Sequence, residues 1–272
     1  MPHSDVVHRF ETWLLSSDRG NGTISLRMRH VRDLARCVDL LTADAEAIEG
    51  VMARRRALAP ETRKSQLASW RVFYSWAHKR GLRADDPTAD IRSIRVPVRV
   101  PRVAPDADIE SALLTASARD RGMVLLARYG CLRLSELTTL HTRAREGERL
   151  RVIGKGDKER IVMANEPLLF ALHALEREQG PGYYFPGLNG PHMHPMSVNK
   201  IITRVTGWNP HSLRHAGATA AYNATGDLRG VQEMLGHASL ATTQRYLHLD
   251  DAARRRVAQG TLMQSSRQLI AA

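Results

Sequence analysis

The chain of 272 residues sets 40 Lys+Arg against 28 Asp+Glu, giving a net charge of +12 and a pI near 10.4. That balance fits a polyanionic partner, nucleic acid first; the acidic content is too high for a histone-like tail, and 5% aromatics argue against a single-strand stacking platform. Two isolated cysteines, Cys37 and Cys131, argue against a disulfide or zinc framework, and no apolar run approaches the roughly 18 residues of a membrane span or forms a signal-peptide core.

The length predicts about two domains of roughly 150 residues each, and the cysteine usage fits a cytoplasmic protein. SLRMRHVRDLARCVDLL (25–41) predicts a helix with Leu26, Val31, Leu34 and Val38 on one face and arginines on the other. TADAEAIEGVMARRR (42–56) predicts a second helix that starts at a Thr/Asp cap. APETRKSQLASWRVFYSWAHKRG (59–81) carries an apolar stripe of Leu67, Trp70, Phe73, Tyr74 and Ala77, ended by Gly81. DDPT (85–88) predicts a short helix with Pro87 in its first turn. IRVPVRVPRVAP (94–105), with three prolines in twelve residues, predicts an extended linker and a domain boundary.

DADIESALLTAS (106–117) predicts a capped helix, and RGMVLLARYGCLRLSELTTL (121–140) one more buried helix. GERLRVIGKGDKERIVMAN (147–165) is the clearest strand signal: Leu150, Val152 and Ile153, then Ile161 and Val162, flank a Gly-rich turn, which reads as a hairpin. Residues 166–180 predict a helix, 182–197 a Gly/Pro loop, and 197–207, 210–226, 227–237 and 239–260 further helices.

Several side chains in these elements suit one chemistry. His211 and Arg214, three apart, share a helix face; His237 follows the helix-ending Gly236, and Tyr246 lies nine residues on. Each alone is commonplace in proteins without an active site. Arg133 and Glu136 in YGCLRLSEL, and Lys155 and Lys158 in GKGDKER, precede them. The ordered set Arg…Lys…His-x-x-Arg…His…Tyr resembles the tyrosine recombinases, the phage integrase and Xer-type family. GCLRLSEL, VIGKGDKERIV, PHSLRHAGAT, LGHAS with TTQRY, and the upstream SWRVFYSWAHKRGLRADDPT each resemble a box of that family, in order, over about residues 5–250.

The resemblance implies a mainly α fold with a small antiparallel sheet, arranged as a C-shaped two-domain DNA clamp. A helical core-binding domain would occupy residues 1–95, a linker 96–105, and a catalytic domain with a C-terminal tail 106–272. It implies site-specific cleavage and rejoining of duplex DNA through a 3′-phosphotyrosyl intermediate, for integration or excision of a phage or mobile element. The alternatives are a Xer-type resolvase and, further off, a type IB topoisomerase or a DNA-binding regulator that has lost catalysis. The implied catalytic set is Arg133, Lys155, His211, Arg214, His237 and the nucleophile Tyr246.

The residue types fit these roles. A phenol of pKa near 10 needs a base and cations to become a nucleophile. Arg133 and Arg214 suit a clamp on phosphoryl oxygens, His211 a proton acceptor for Tyr246, and His237 a hydrogen-bond donor to phosphate. The departing 5′-oxygen needs a proton donor, which arginine is not at neutral pH. Only five of the 40 basic residues are lysine, and two lie in GKGDKER; spacing does not choose between them, whereas the family's hairpin assigns the role to Lys155. Glu136 is expected to pair with a neighbouring base or cap a turn, His215 to bond locally, and His248 and Trp208 to be structural.

No cofactor or catalytic metal is expected. The implied partners are double-stranded DNA crossover or attachment sites, further copies in a homotetramer, and an accessory directionality factor. The resemblance begins near Met1, so no arm-binding domain is expected. Beyond Tyr246 two expectations stand: the resemblance implies a tail docked on a neighbouring protomer through Leu262 and Met263, or Leu269 and Ile270, and the alternative is a frayed terminus; the terminal LIAA resembles bacterial degradation tags.

Overall fold

A computed structural model describes residues 3–97, 102–154 and 156–236. The chain divides into two compact units, residues 1–99 and 100–272. Both are helical, with one small sheet in the second.

The first unit holds α1 (His3–Leu15), α2 (Asn21–Ala35), α3 (Ala45–Arg54) and α4 (Pro60–Lys79). α4 begins with Pro60, whose missing N–H costs nothing in a first turn. Its predicted stripe of Leu67, Trp70, Phe73, Tyr74 and Ala77 is wholly buried. α3 is capped by Asp44, whose carboxylate accepts from Ala47 N–H. α1 was not anticipated as an element, although Val6, Phe10 and Leu14 recur every four residues and are buried.

Two expectations in this unit are corrected. The buried face of α2 is Ile24, Met28, Val31 and Leu34; Leu26 is only half-buried, and Val38 lies beyond the helix end at Ala35. A window starting at Ser25 missed Ile24 and shifted the stripe. Residues 85–88 form no helix. The Asp86 carboxylate accepts from both Thr88 N–H (2.9 Å) and Thr88 Oγ1 (2.6 Å), closing a local turn that competes with helical bonding.

The second unit holds α5 (Asp106–Thr115), α6 (Ala118–Arg128), α7 (Leu134–Thr138), β1 (Arg145–Glu146), β2 (Arg149–Ile153), β3 (Glu159–Met163), α8 (Glu166–Gln179), α9 (Pro195–Thr206), α10 (Pro210–Thr225) and α11 (Leu228–Leu235). The sheet is antiparallel in the order β1-β2-β3, with Leu150 opposite Val162 and Val152 opposite Arg160. The predicted hairpin is therefore present, with β1 as a short unpredicted third strand. Its turn has Gly156 and Asp157 at φ 74° and 53°, and Gly154 N–H donates to Lys158 O at 2.8 Å.

α6 is the buried centre of this unit and packs against α8, α9 and α10. It crosses α10 so closely that a Cβ on Gly217 would lie 2.0 Å from Arg128 O and 2.6 Å from Cys131 Sγ. The single helix expected over 121–140 is interrupted. Gly130 leaves α6, Cys131 takes a left-handed φ of 48°, and α7 starts after Arg133. Ala104, inside the expected linker, packs into the core of this unit. Among the described residues no helix is long and apolar enough to cross a membrane.

Candidate active site

The break between α6 and α7 places Arg133 at the N-cap of α7. Its N–H donates to Glu136 Oε2 at 2.8 Å and its Nη1 to Glu136 Oε1 at 2.7 Å. Its Nη2 reaches Gly236 O at 3.0 Å, and 34% of the side chain stays exposed. Left-handed backbone at Cys131 costs about 1 kcal/mol for a residue with a Cβ, and the carbonyl so placed accepts from Arg214 Nη1.

Arg214 stands on α10, started by Asn209, whose side chain accepts from Ser212 N–H at 3.0 Å. Its side chain is 2% exposed, and its Nη2 donates to Leu235 O at 2.7 Å. Burial, followed by the charge of Arg133, pulls its pKa down to about 10, so it remains a cation at neutral pH. His211, one turn earlier, lies beside both arginines. Burial and then the charges of Arg214 and Arg133 hold its pKa below the usual imidazole range. His215 Nε2 lies 2.8 Å from His211 Nε2, the local bond expected of it. Arg133, His211 and Arg214 line one open pocket with Leu134, Asn199 and Asn209.

Beneath the arginines lies Glu136, with 2% of its side chain exposed. Burial raises its pKa, but hydrogen bonds from Arg160 and Arg133 outweigh that and bring it down to about 2. It both caps α7 and pairs with bases, as anticipated. The base missed in the sequence is Arg160, whose Nη1 and Nη2 each meet one Glu136 oxygen at 2.8 Å. The available signal was alternation: Arg160 lies on the inward face of β3 with the buried Val162. Trp208 is structural, with Nε1 donating to Asp108 at 2.8 Å.

Of the six implied catalytic residues, the structure brings Arg133, His211 and Arg214 together. Lys155, His237 and Tyr246 lie outside the described residues, as do His248 and the tail. Lys158 is exposed at the hairpin tip. Among the described residues no three His, Cys, Asp or Glu side chains converge as metal ligands.

The Phage integrase family matches residues 107–253, more than half of the chain. The chain is 36% identical over 214 residues to tyrosine recombinase XerC of Xanthomonas campestris pv. campestris, an alignment that covers 72% of this chain and 66% of that relative. With tyrosine recombinase XerC of Chromobacterium violaceum it shares 34% identity over 248 residues, 76% of this chain and 82% of the relative. Its fold is similar to that of a lambda integrase tetramer bound to a Holliday junction, with a TM-score of 0.75 at 17% identity, over 91% of this chain and 79% of the other. Together with the arginine pair held over one carboxylate, these matches show that the chain belongs to the phage integrase family of tyrosine recombinases.

Proposed function

We propose that this protein is a site-specific recombinase that cuts and rejoins duplex DNA through Tyr246. The observation that carries the reading is charge imbalance: among the described residues three guanidiniums surround the single carboxylate of Glu136, and two of them line a pocket beside His211. A buried cationic surplus of this kind suits an anion, and the phosphoryl group in transit gains negative charge for it to meet.

In this reading the Tyr246 oxygen attacks the scissile phosphorus while His211 takes the phenolic proton. The bond from phosphorus to the 5′-oxygen breaks, and Lys155 supplies the proton that makes the 5′-hydroxyl. Arg133 and Arg214 hold the non-bridging oxygens, with His237 as a further donor. The product is a 3′-phosphotyrosine. Its bond replaces the phosphodiester, so a 5′-hydroxyl from a second strand reverses the step with no ATP. The residues of 1–95 serve as the core-binding domain and those of 106–272 as the catalytic domain. The partners are crossover sites in duplex DNA, three further copies in a synaptic tetramer and an accessory directionality factor, and the setting is the cytoplasm.

Integration or excision of a mobile element is the leading use of this chemistry. The 36% identity to a XerC is the observation behind a second reading as a Xer-type resolvase. Covalent capture on fragmented genomic DNA of the encoding cell tests the chemistry. Wild type should form adducts at one sequence, and Tyr246→Phe none; adducts retained by the Phe variant would overturn the assignment. The genomic position of that sequence separates element ends from a chromosomal resolution site.

A further inference from the structure

Three arginines converge on the C-terminal end of α11. Arg160 Nε donates to Met234 O at 2.9 Å, Arg214 Nη2 to Leu235 O at 2.7 Å, and Arg133 Nη2 to Gly236 O at 3.0 Å. Carbonyls at a helix C-terminus lack intrahelical partners and carry the negative end of the dipole, so cations suit them. The same three arginines surround Glu136. Arg160 grips both of its oxygens, Arg133 one oxygen at 2.7 Å, and Arg214 stands 3.8 Å away.

The three differ in what else they face. Arg133 and Arg214 line the pocket, whereas Arg160 does not. Its side chain lies on the inward side of β3 with only 10% exposed. Stability is a poor reason for an ion pair there, because packed apolar residues usually serve a buried site as well or better. The planar fork does what an apolar residue or a lysine cannot: it fixes both carboxylate oxygens and a helix-end carbonyl at once.

We propose that Arg160 is a positioning residue of this active site. By holding Glu136 and Met234 it aims the Arg133 guanidinium into the pocket and ties the end of α11 to the same carboxylate. The inference rests on the recombinase reading above.

A merely structural role and a positioning role differ in pH dependence. Glu136 is faced by Arg133 and its N–H from the start of α7, Arg160 from β3, Arg214 from α10 and the Gly154 backbone after β2; the buried Cys131 thiol feels the charges of Arg214, Arg128 and Arg160. Without Arg160, burial would push the Glu136 carboxyl up, and its protonation would release Arg133. The variant should therefore lose activity as the pH falls through the mildly acidic range, in addition to any His211 titration shared with wild type.

The test is single-turnover adduct formation on a nicked duplex carrying the sequence captured by wild type. At saturating duplex, Arg160→Met should be slowed about 100-fold and Arg160→Lys about 10-fold, with duplex affinity within about threefold of wild type. The Met variant should gain the acidic limb, and Arg160→Met combined with Glu136→Gln should lose that limb again. Should the Met variant not fold, the Lys variant decides alone. Wild-type rates in both variants, or a slowing that matches a reduced folded fraction with an unchanged pH profile, would overturn the proposal. Failure of wild type to capture DNA would instead overturn the recombinase reading.

Discussion

The two units of this chain each have an apolar core, but they differ in what stands beside it. The first centres on rings: Phe10 meets Phe73 edge-on at 5.1 Å, Phe73 meets Tyr74 at 5.1 Å, and Phe10 meets Trp76 at 5.1 Å. The second buries its own apolar core around α6, yet sets three arginines and one glutamate beside it. The phenyl rings of Phe10 and Phe73 carry no polar group, so they gain from burial without needing a partner. A buried cation surplus does not, and the proposed recombination gives it an anion to meet. The difference teaches that stability is concentrated where the chain is apolar, and chemistry where it carries charge at a cost.

The sharpest way to break that contrast is a deletion in each unit. Phe73→Ala should cost about 3–5 kcal/mol through lost burial and a cavity. Hydrogen exchange resolved by peptide should show the loss in residues 3–79, with no pH dependence. Glu136→Gln should cost about 3 kcal/mol in the second unit, and this loss should depend on pH. The carboxyl titrates near 4.5 when unfolded and near 2 when folded. Its stabilisation is therefore complete above about pH 4.5 and lost as the pH falls toward 2. Urea titrations across that window should show the wild type losing the advantage and the Gln variant having none to lose.

Two smaller effects sharpen the comparison. Gly217→Ala forces a Cβ into Arg128 O and should cost about 1–3 kcal/mol. Because it displaces α10, adduct formation should fall further than the folded fraction does. Asp44→Ala removes only the cap of α3 and should cost about 1 kcal/mol, visible in the thermal midpoint and absent from the cleavage rate.

Local physics made much of this fold legible in the sequence. The α4 stripe, the hairpin at 147–165 and the Asn and Asp caps of α8, α10 and α11 depend on neighbours within a few residues. Left-handed Gly207, Gly226 and Gly236 end their helices where punctuation predicts. The break at Cys131 was hidden, since its left-handed backbone is secured by Arg214, 83 positions away. Alternation along β3 turns Arg160 inward, but its partner Glu136, 24 positions away, was hidden, because periodicity gives a face and not a tertiary partner. Arg133, His211 and Arg214 were singled out through the order of their motifs; that Arg133 and Arg214 share Glu136 and both hold the end of α11 emerged only from the fold.

The central claim is that the cations gathered by Glu136 serve a tyrosine nucleophile. Digesting the captured protein–DNA adduct and sequencing the modified peptide by mass spectrometry tests it most directly. The account predicts a nucleotide remnant on Tyr246, joined through its 3′-phosphate. A remnant on any other side chain, or one joined through a 5′-phosphate, would contradict it.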